Sequence, residues 1–318
     1  METFLIVFLL LLGLALVTFG ANWLVNGSSD IAKRIGISDF LVGLTIVAIG
    51  TSAPEIVVSF LSAFQGNSDI SVGNVLGSNI FNAGIILGLT ALISPVAITK
   101  RNRQLHIPFN ALATVLFIFF CYTGHRTITA WEGLVFLIIL ILYFVWTIRK
   151  DYKETHHADI KEAGEKPRRH ILLSIGFVLV GLAALIYGGE LFVANAQKIA
   201  KMMNISDKVI AITLIATGTS LPELATSLVA AVKGKGQMAL GNLIGSNTIN
   251  ILLVLGGASL IHPLDTTGIN YLDQGALLLC TIFLIVFTSV TSKEVISKIE
   301  GALLLLLGLV YMGLCIAL

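Results

Sequence analysis

Sliding the chain along itself by 168 positions brings it into register without a gap, and this duplication constrains the fold more than any other feature. Ile31-Ala32-Lys33 falls on Ile199-Ala200-Lys201, and Ile37-Ser38-Asp39 on Ile205-Ser206-Asp207. Gly50-Thr51-Ser52 with Pro54-Glu55 falls on Gly218-Thr219-Ser220 with Pro222-Glu223. Gly73-Asn74, Gly77-Ser78-Asn79 and Asn82 then meet Gly241-Asn242, Gly245-Ser246-Asn247 and Asn250. The register persists through Pro95, Glu132-Gly133 and Tyr143, which meet Pro263, Glu300-Gly301 and Tyr311.

The solvent of this duplicated chain follows from its hydropathy. Of 318 residues, 56% are hydrophobic and 12% charged, with a mean hydropathy of +0.93. Water-soluble domains carry about 25% charge, so the chain reads as polytopic in a membrane. The sparse charges sum to +2 and sit mostly in loops, which excludes a nucleic-acid partner. Cys121, Cys280 and Cys315 lie in apolar stretches without disulfide or zinc spacing. A membrane helix takes about 20 apolar residues. Spans are expected at 3–25, 40–64, 70–93, 105–123, 129–149, 171–193, 208–232, 238–260, 270–289 and 295–317. The first is expected to be retained, because Glu2 stands where a signal peptide would be basic.

Each copy thus holds five spans. Five is odd, so the second copy enters the membrane inverted relative to the first. The expected architecture is an all-α membrane protein of ten helices in two inverted five-helix repeats, 1–150 and 169–318. A cytoplasmic linker, 151–168, joins them as a solvated loop. Sixteen of the twenty Lys and Arg fall in loops on one side, which places that side in the cytoplasm and both termini outside, in a cell membrane. Inverted repeats are a transporter architecture, with the substrate site near the midplane between the halves.

Most of the eighteen carboxylates lie in loops or near span ends; Glu55 and Glu223 lie deep within theirs. A charge at helix centre costs about 2.5–3.5 kcal/mol even on the lenient insertion scale. With no Lys or Arg at that depth, the two anions call for a bound cation or for protons. Thr51, Glu55 and Ser59 share a helix face, with Ser52 beside them, and Asn74, Ser78 and Asn82 share another. Thr219, Glu223 and Ser227, with Ser220, and Asn242, Ser246 and Asn250 repeat both stripes. Pro54 and Pro222 lack the N–H that would bond the carbonyl four residues earlier, which frees oxygens near Gly50 and Gly218. Carboxylate, hydroxyl, amide and carbonyl oxygens suit calcium, sodium or magnesium rather than zinc or copper. Two glutamates balance one divalent ion. When it leaves, monovalent cations or protons must replace it, which is the logic of an exchanger.

These motifs resemble the alpha-repeats of the sodium/calcium exchanger family, within the calcium/cation antiporter superfamily, over the whole chain. The resemblance implies that Glu55 and Glu223 bind Ca2+ with the backbone carbonyls of Thr51 and Thr219. It implies Na+ sites shared by those glutamates with Ser78, Ser246 and backbone oxygens near Ala48 and Ala216. It also implies that the first and sixth spans move across a fixed core. Some members carry aspartate where Asn250 stands; here Asn82 and Asn250 are both neutral, which argues against potassium co-transport.

The expected function is therefore secondary antiport of Ca2+ against Na+, with no cofactor and no implied oligomer. Calcium/proton exchange by the same glutamates and a cation channel are the alternatives. No nucleophile–base pair, phosphate loop or metal–histidine motif points to an enzyme.

Overall fold

The protein's structure, a computed structural model, describes residues 2–122, 126–158, 170–203, 205, 218–289 and 294–317. Its helices are α1 (Glu2–Ile35), α2 (Asp39–Thr51), α3 (Ala53–Phe64), α4 (Ser68–Ile93), α5 (Asn102–Tyr122) and α6 (Ala130–Ala158). In the second half come α7 (Ile171–Met202), α8 (Leu221–Val232), α9 (Gly236–Ile261), α10 (Tyr271–Ser289) and α11 (Lys298–Ala317). Among the described residues, eight helices are long and apolar enough to cross a membrane, and α2 with α3 forms a ninth candidate bent by 47°. The bend falls at Ser52, just before Pro54, where the ring removes a helical donor. α8 follows Ser220 and carries Pro222 at the equivalent place.

Polarity and burial run opposite to the soluble rule. α4 and α9 have the lowest hydropathy of the eight, yet 72% and 78% of their most apolar windows are buried, against 22–28% for α1, α6, α7 and α11. Lipid accepts the apolar helices, so the helices with polar stripes take the centre. Each central helix packs against the last helix of the other half. A Cβ on Gly88 of α4 would lie 2.8 Å from the Gly301 carbonyl of α11, and one on Gly256 of α9 would lie 3.1 Å from the Gly133 carbonyl of α6. The connecting loops interlock likewise as two-residue ribbons. β1 (Val96–Ala97) pairs antiparallel with β4 (Val295–Ile296), and β2 (Thr127–Ile128) with β3 (Leu264–Asp265).

α1 and α7 form an antiparallel pair whose seam is glycine. Gly13, Gly20 and Gly27 recur every seven residues opposite Gly188, Gly181 and Ser174. A Cβ on Gly20 would stand 2.8 Å from the Gly181 carbonyl, so only hydrogen fits there. Both helices outrun the expected spans 3–25 and 171–193. At 1.5 Å per residue a helix of this length reaches about 50 Å, beyond the ~30 Å hydrocarbon core. Polar residues end an apolar run but not a helix, and Ser28, Ser29 and Asp30 are buried against protein.

The linker begins later than expected. α6 continues to Ala158, and Asp151 is buried rather than solvated. It pairs with Arg101 at 3.0 Å and accepts from the Ser38 N–H at 2.9 Å and hydroxyl at 3.0 Å, which ties the starts of α2 and α5 to α6. Residues 159–169 lie outside the described residues.

Candidate functional site

Two pairs of carboxylates are matched by the repeat, and the structure gives them different work. Thr129-x-x-Glu132 and Ser297-x-x-Glu300 are capping boxes at the starts of α6 and α11. Glu132 accepts from the Thr129 N–H at 2.6 Å, and Glu300 from the Ser297 N–H at 2.6 Å and hydroxyl at 2.8 Å. Glu55 and Glu223 cap no such box. Each stands one turn beyond the break before α3 or α8, fully buried.

Around them the halves exchange hydrogen bonds reciprocally. Ser220 donates to Glu55 Oε1 at 3.2 Å, and Ser52 to Glu223 Oε1 at 3.1 Å, so each glutamate is held from the opposite half. Ser78 and Ser246, on α4 and α9, donate to the same oxygens at 3.3 Å each. Thr51 donates to Asn242 Oδ1 at 3.2 Å and Thr219 to Asn74 Oδ1 at 3.4 Å. Those amides return to their own halves. Asn74 donates to Ser59 at 3.0 Å and to the Glu55 carbonyl at 3.2 Å, and Asn242 to Ser227 at 3.1 Å.

Asn82 and Asn250 are buried as completely as the glutamates but do not bond them. Both sit where α4 and α9 widen into a π-helical turn, Phe81–Ile86 and Asn250–Leu255, a distortion frequent at functional sites. Asn82 donates to Asn247 Oδ1 and Asn250 to Asn79 Oδ1, each at 3.1 Å. Asn79 and Asn247 also donate to each other's backbone carbonyls, at 3.1 and 3.4 Å. This asparagine clasp between α4 and α9 was not among the expected site residues. Its signal was present in the matched Gly-Ser-Asn triplets, where an amide one residue beyond the serine stripe faces the other half.

After these bonds are made, four oxygens have no donor: Glu55 Oε2, Glu223 Oε2, Asn82 Oδ1 and Asn250 Oδ1, all buried. They form two repeat-matched pairs. A buried acceptor without a donor costs about 1–3 kcal/mol, more when charged, so four of them in register describe a demand for positive charge. Among the described residues no third His, Cys, Asp or Glu joins the pair. The donor set is oxygen only, which suits hard cations. Of the expected backbone ligands, Ala48 is buried on α2, its carbonyl accepting from the Ser52 N–H at 3.0 Å; Ala216 lies outside the described residues.

A family profile described as "Sodium/calcium exchanger protein" matches this chain twice, over residues 5–149 and 173–317. The chain is 32% identical to the sodium/calcium exchanger MaX1 of Methanosarcina acetivorans, over 94% of this chain and 95% of that protein. It is 35% identical to the inner membrane protein YrbG of Escherichia coli, over 86% of both. A solved structure of the sodium-calcium exchanger NCX_Mj, soaked with Na+ and Sr2+, superposes with a TM-score of 0.84 at 36% identity, covering 98% of both chains. MaX1 and NCX_Mj are exchangers by name, and this multi-pass membrane protein belongs to the sodium/calcium exchanger family.

Proposed function

We propose that this protein exchanges Ca2+ for Na+ across the cell membrane by alternating access, at a midplane site built on Glu55 and Glu223. The observation that carries this reading is the four donorless oxygens, two of them carboxylate oxygens, in a cluster where no Lys or Arg bonds the glutamates among the described residues. Ca2+ takes 6–8 oxygens at about 2.3–2.6 Å. The two carboxylates, the amide oxygens of Asn82 and Asn250 and backbone carbonyls of α2 and its counterpart supply that number. Thr51 and Thr219 offer their carbonyls, Ser52 and Ser220 orient the carboxylates, and Ser78 and Ser246 serve Na+. The backbone near Ala48 and Ala216 completes the Na+ sites.

In this reading the membrane holds ten helices. α2 with α3 is one bent span, α8 with the residues before it is a second, and 1–150 and 169–318 are inverted halves joined by a cytoplasmic linker. Both termini face outward. The glycine seam makes α1 and α7 one unit able to slide over the interlocked centre.

Radioactive calcium uptake into vesicles of purified protein tests the function. Uptake driven by an outward Na+ gradient, and not by K+ or choline, is the expected result. Uptake driven only by a pH gradient would assign the proton as counter-ion, and downhill flux without counter-flow would mark a channel. Asn250→Asp makes the donorless amide oxygen part of a carboxylate, at the loss of the N–H that Asn250 donates to Asn79. It is expected to tighten calcium binding by about tenfold or more, since a third carboxylate nearby easily supplies ~1.4 kcal/mol. Unchanged calcium affinity and ion selectivity, read by competition uptake, would place Asn250 outside the cage.

A further inference from the structure

The two sides of the site are not equivalent, although the residues inside it match. On one side a cavity of about 400 Å³ lies between α3, α7 and the start of α8, with Gly218, Thr219 and Pro222 in its lining. On the other, the equivalent Gly50 is covered: a Cβ there would lie 2.5 Å from the Leu182 side chain of α7. The repeat partner of Leu182 is Leu14, which is 47% exposed, and Gly218 lines the cavity.

The cavity wall is apolar apart from Thr219, Gln197 and one carboxylate, Glu190. Glu190 lies on α7, twelve residues before its end at Met202, or about 18 Å along the helix. Among the described residues it makes no hydrogen bond or ion pair. An unpaired carboxylate at such a position is costly unless it faces water or a cation. In repeat register Glu190 falls on Asn22 of α1, where the chemistry is reversed. There the Lys233 ammonium, at the end of α8, donates to Asn22 and, at 2.7 Å, to Asn26. One mouth therefore presents a bare anion over an open cavity, and the other presents amides holding a cation of the protein's own.

We propose that Glu190 is the capture residue of the outer mouth: its carboxylate draws hydrated divalent cations into the cavity and hands them towards Thr219 and the buried glutamates. Low-dielectric walls sharpen its field, which raises the rate of cation encounter without altering the buried site. Gln197, about two turns further along α7, offers a neutral oxygen on the same wall. This rests on the proposed function above, and its test separates the two.

Initial calcium uptake is measured in sodium-loaded, right-side-out membrane vesicles at low and high choline chloride. Glu190→Gln is expected to raise KM for calcium about three- to tenfold at low salt with the maximal rate retained, and the difference should shrink at high salt. Glu190→Asp should keep the wild-type KM. In a Cys315→Ser background, Glu190→Cys should regain low KM with a sulfonate-bearing thiosulfonate and lose it further with a trimethylammonium-bearing one; Cys121 and Cys280 are buried. A Glu190→Gln KM equal to wild type at low salt, or a fall in maximal rate alone, overturns the capture role while leaving the exchanger standing. Wild-type vesicles that take up no calcium overturn both.

Discussion

Glu55→Gln and Glu223→Gln, each made alone, are expected to abolish calcium uptake while the protein remains folded and extractable. The amide oxygen of glutamine can still accept from Ser220 and Ser78, or from Ser52 and Ser246, so the hydroxyl bonds at 3.1–3.3 Å survive. What changes is the other atom. An NH2 donor replaces the donorless Oε2, and one of two charges leaves a buried oxygen cluster. A charge pair in such surroundings is worth several kcal/mol, so the loss should exceed about a hundredfold in uptake rate at fixed calcium. Glu300→Gln is the matched control. It is also buried and duplicated, but it caps α11, so it should cost about 1 kcal/mol of stability and little transport. Wild-type uptake in either site variant, or equal losses in site and cap variants, would remove the glutamates from the transport site.

The second large effect is expected at Gly181→Ala. Its new Cβ would meet the Leu24 nitrogen at 2.7 Å and the Gly20 carbonyl at 2.8 Å, both backbone atoms that cannot rotate away. α1 and α7 must then separate along their seam. Overpacking of this kind costs about 1–3 kcal/mol, read as a lower melting temperature in detergent, and the transport rate should fall by more than tenfold if the pair moves as a unit. Gly176→Ala, on the same helix with open space around its Cβ, should do neither. If both alanines behave alike, close backbone approach is not what couples the pair.

The features legible without coordinates were those encoded in one strand of sequence at a time. Hydropathy located the long helices, because lipid requires an apolar run of a given length. It underestimated α1 and α7, since Ser28, Ser29 and Asp30 on α1 and Asn195 on α7 end the apolar runs but are buried against protein. It also ended α6 too early, because Asp151 reads as a loop residue until Arg101 and Ser38 are seen to surround it. The glycine seam escaped notice although Gly13, Gly20 and Gly27 stand in plain order. A glycine every seventh residue means little until the partner helix supplies its own.

The sequence by itself determined that this is a duplicated membrane chain with two carboxylates too deep to be unanswered, and the family follows from the motifs around them. It could not distinguish Glu55 and Glu223 from Glu132 and Glu300 by partners, because both pairs are repeated and the sequence does not say what each carboxylate touches. Only the tertiary structure decided that the serine beside one glutamate holds the glutamate of the other half, and that Asn82 and Asn250 turn their donors to the Asn79–Asn247 clasp and leave their oxygens free. The physical reason is that hydrogen-bond satisfaction is a property of the assembled site. A residue's type sets how many bonds it can make, while its neighbours in space, about 168 positions away along the chain, set which of them remain unmade.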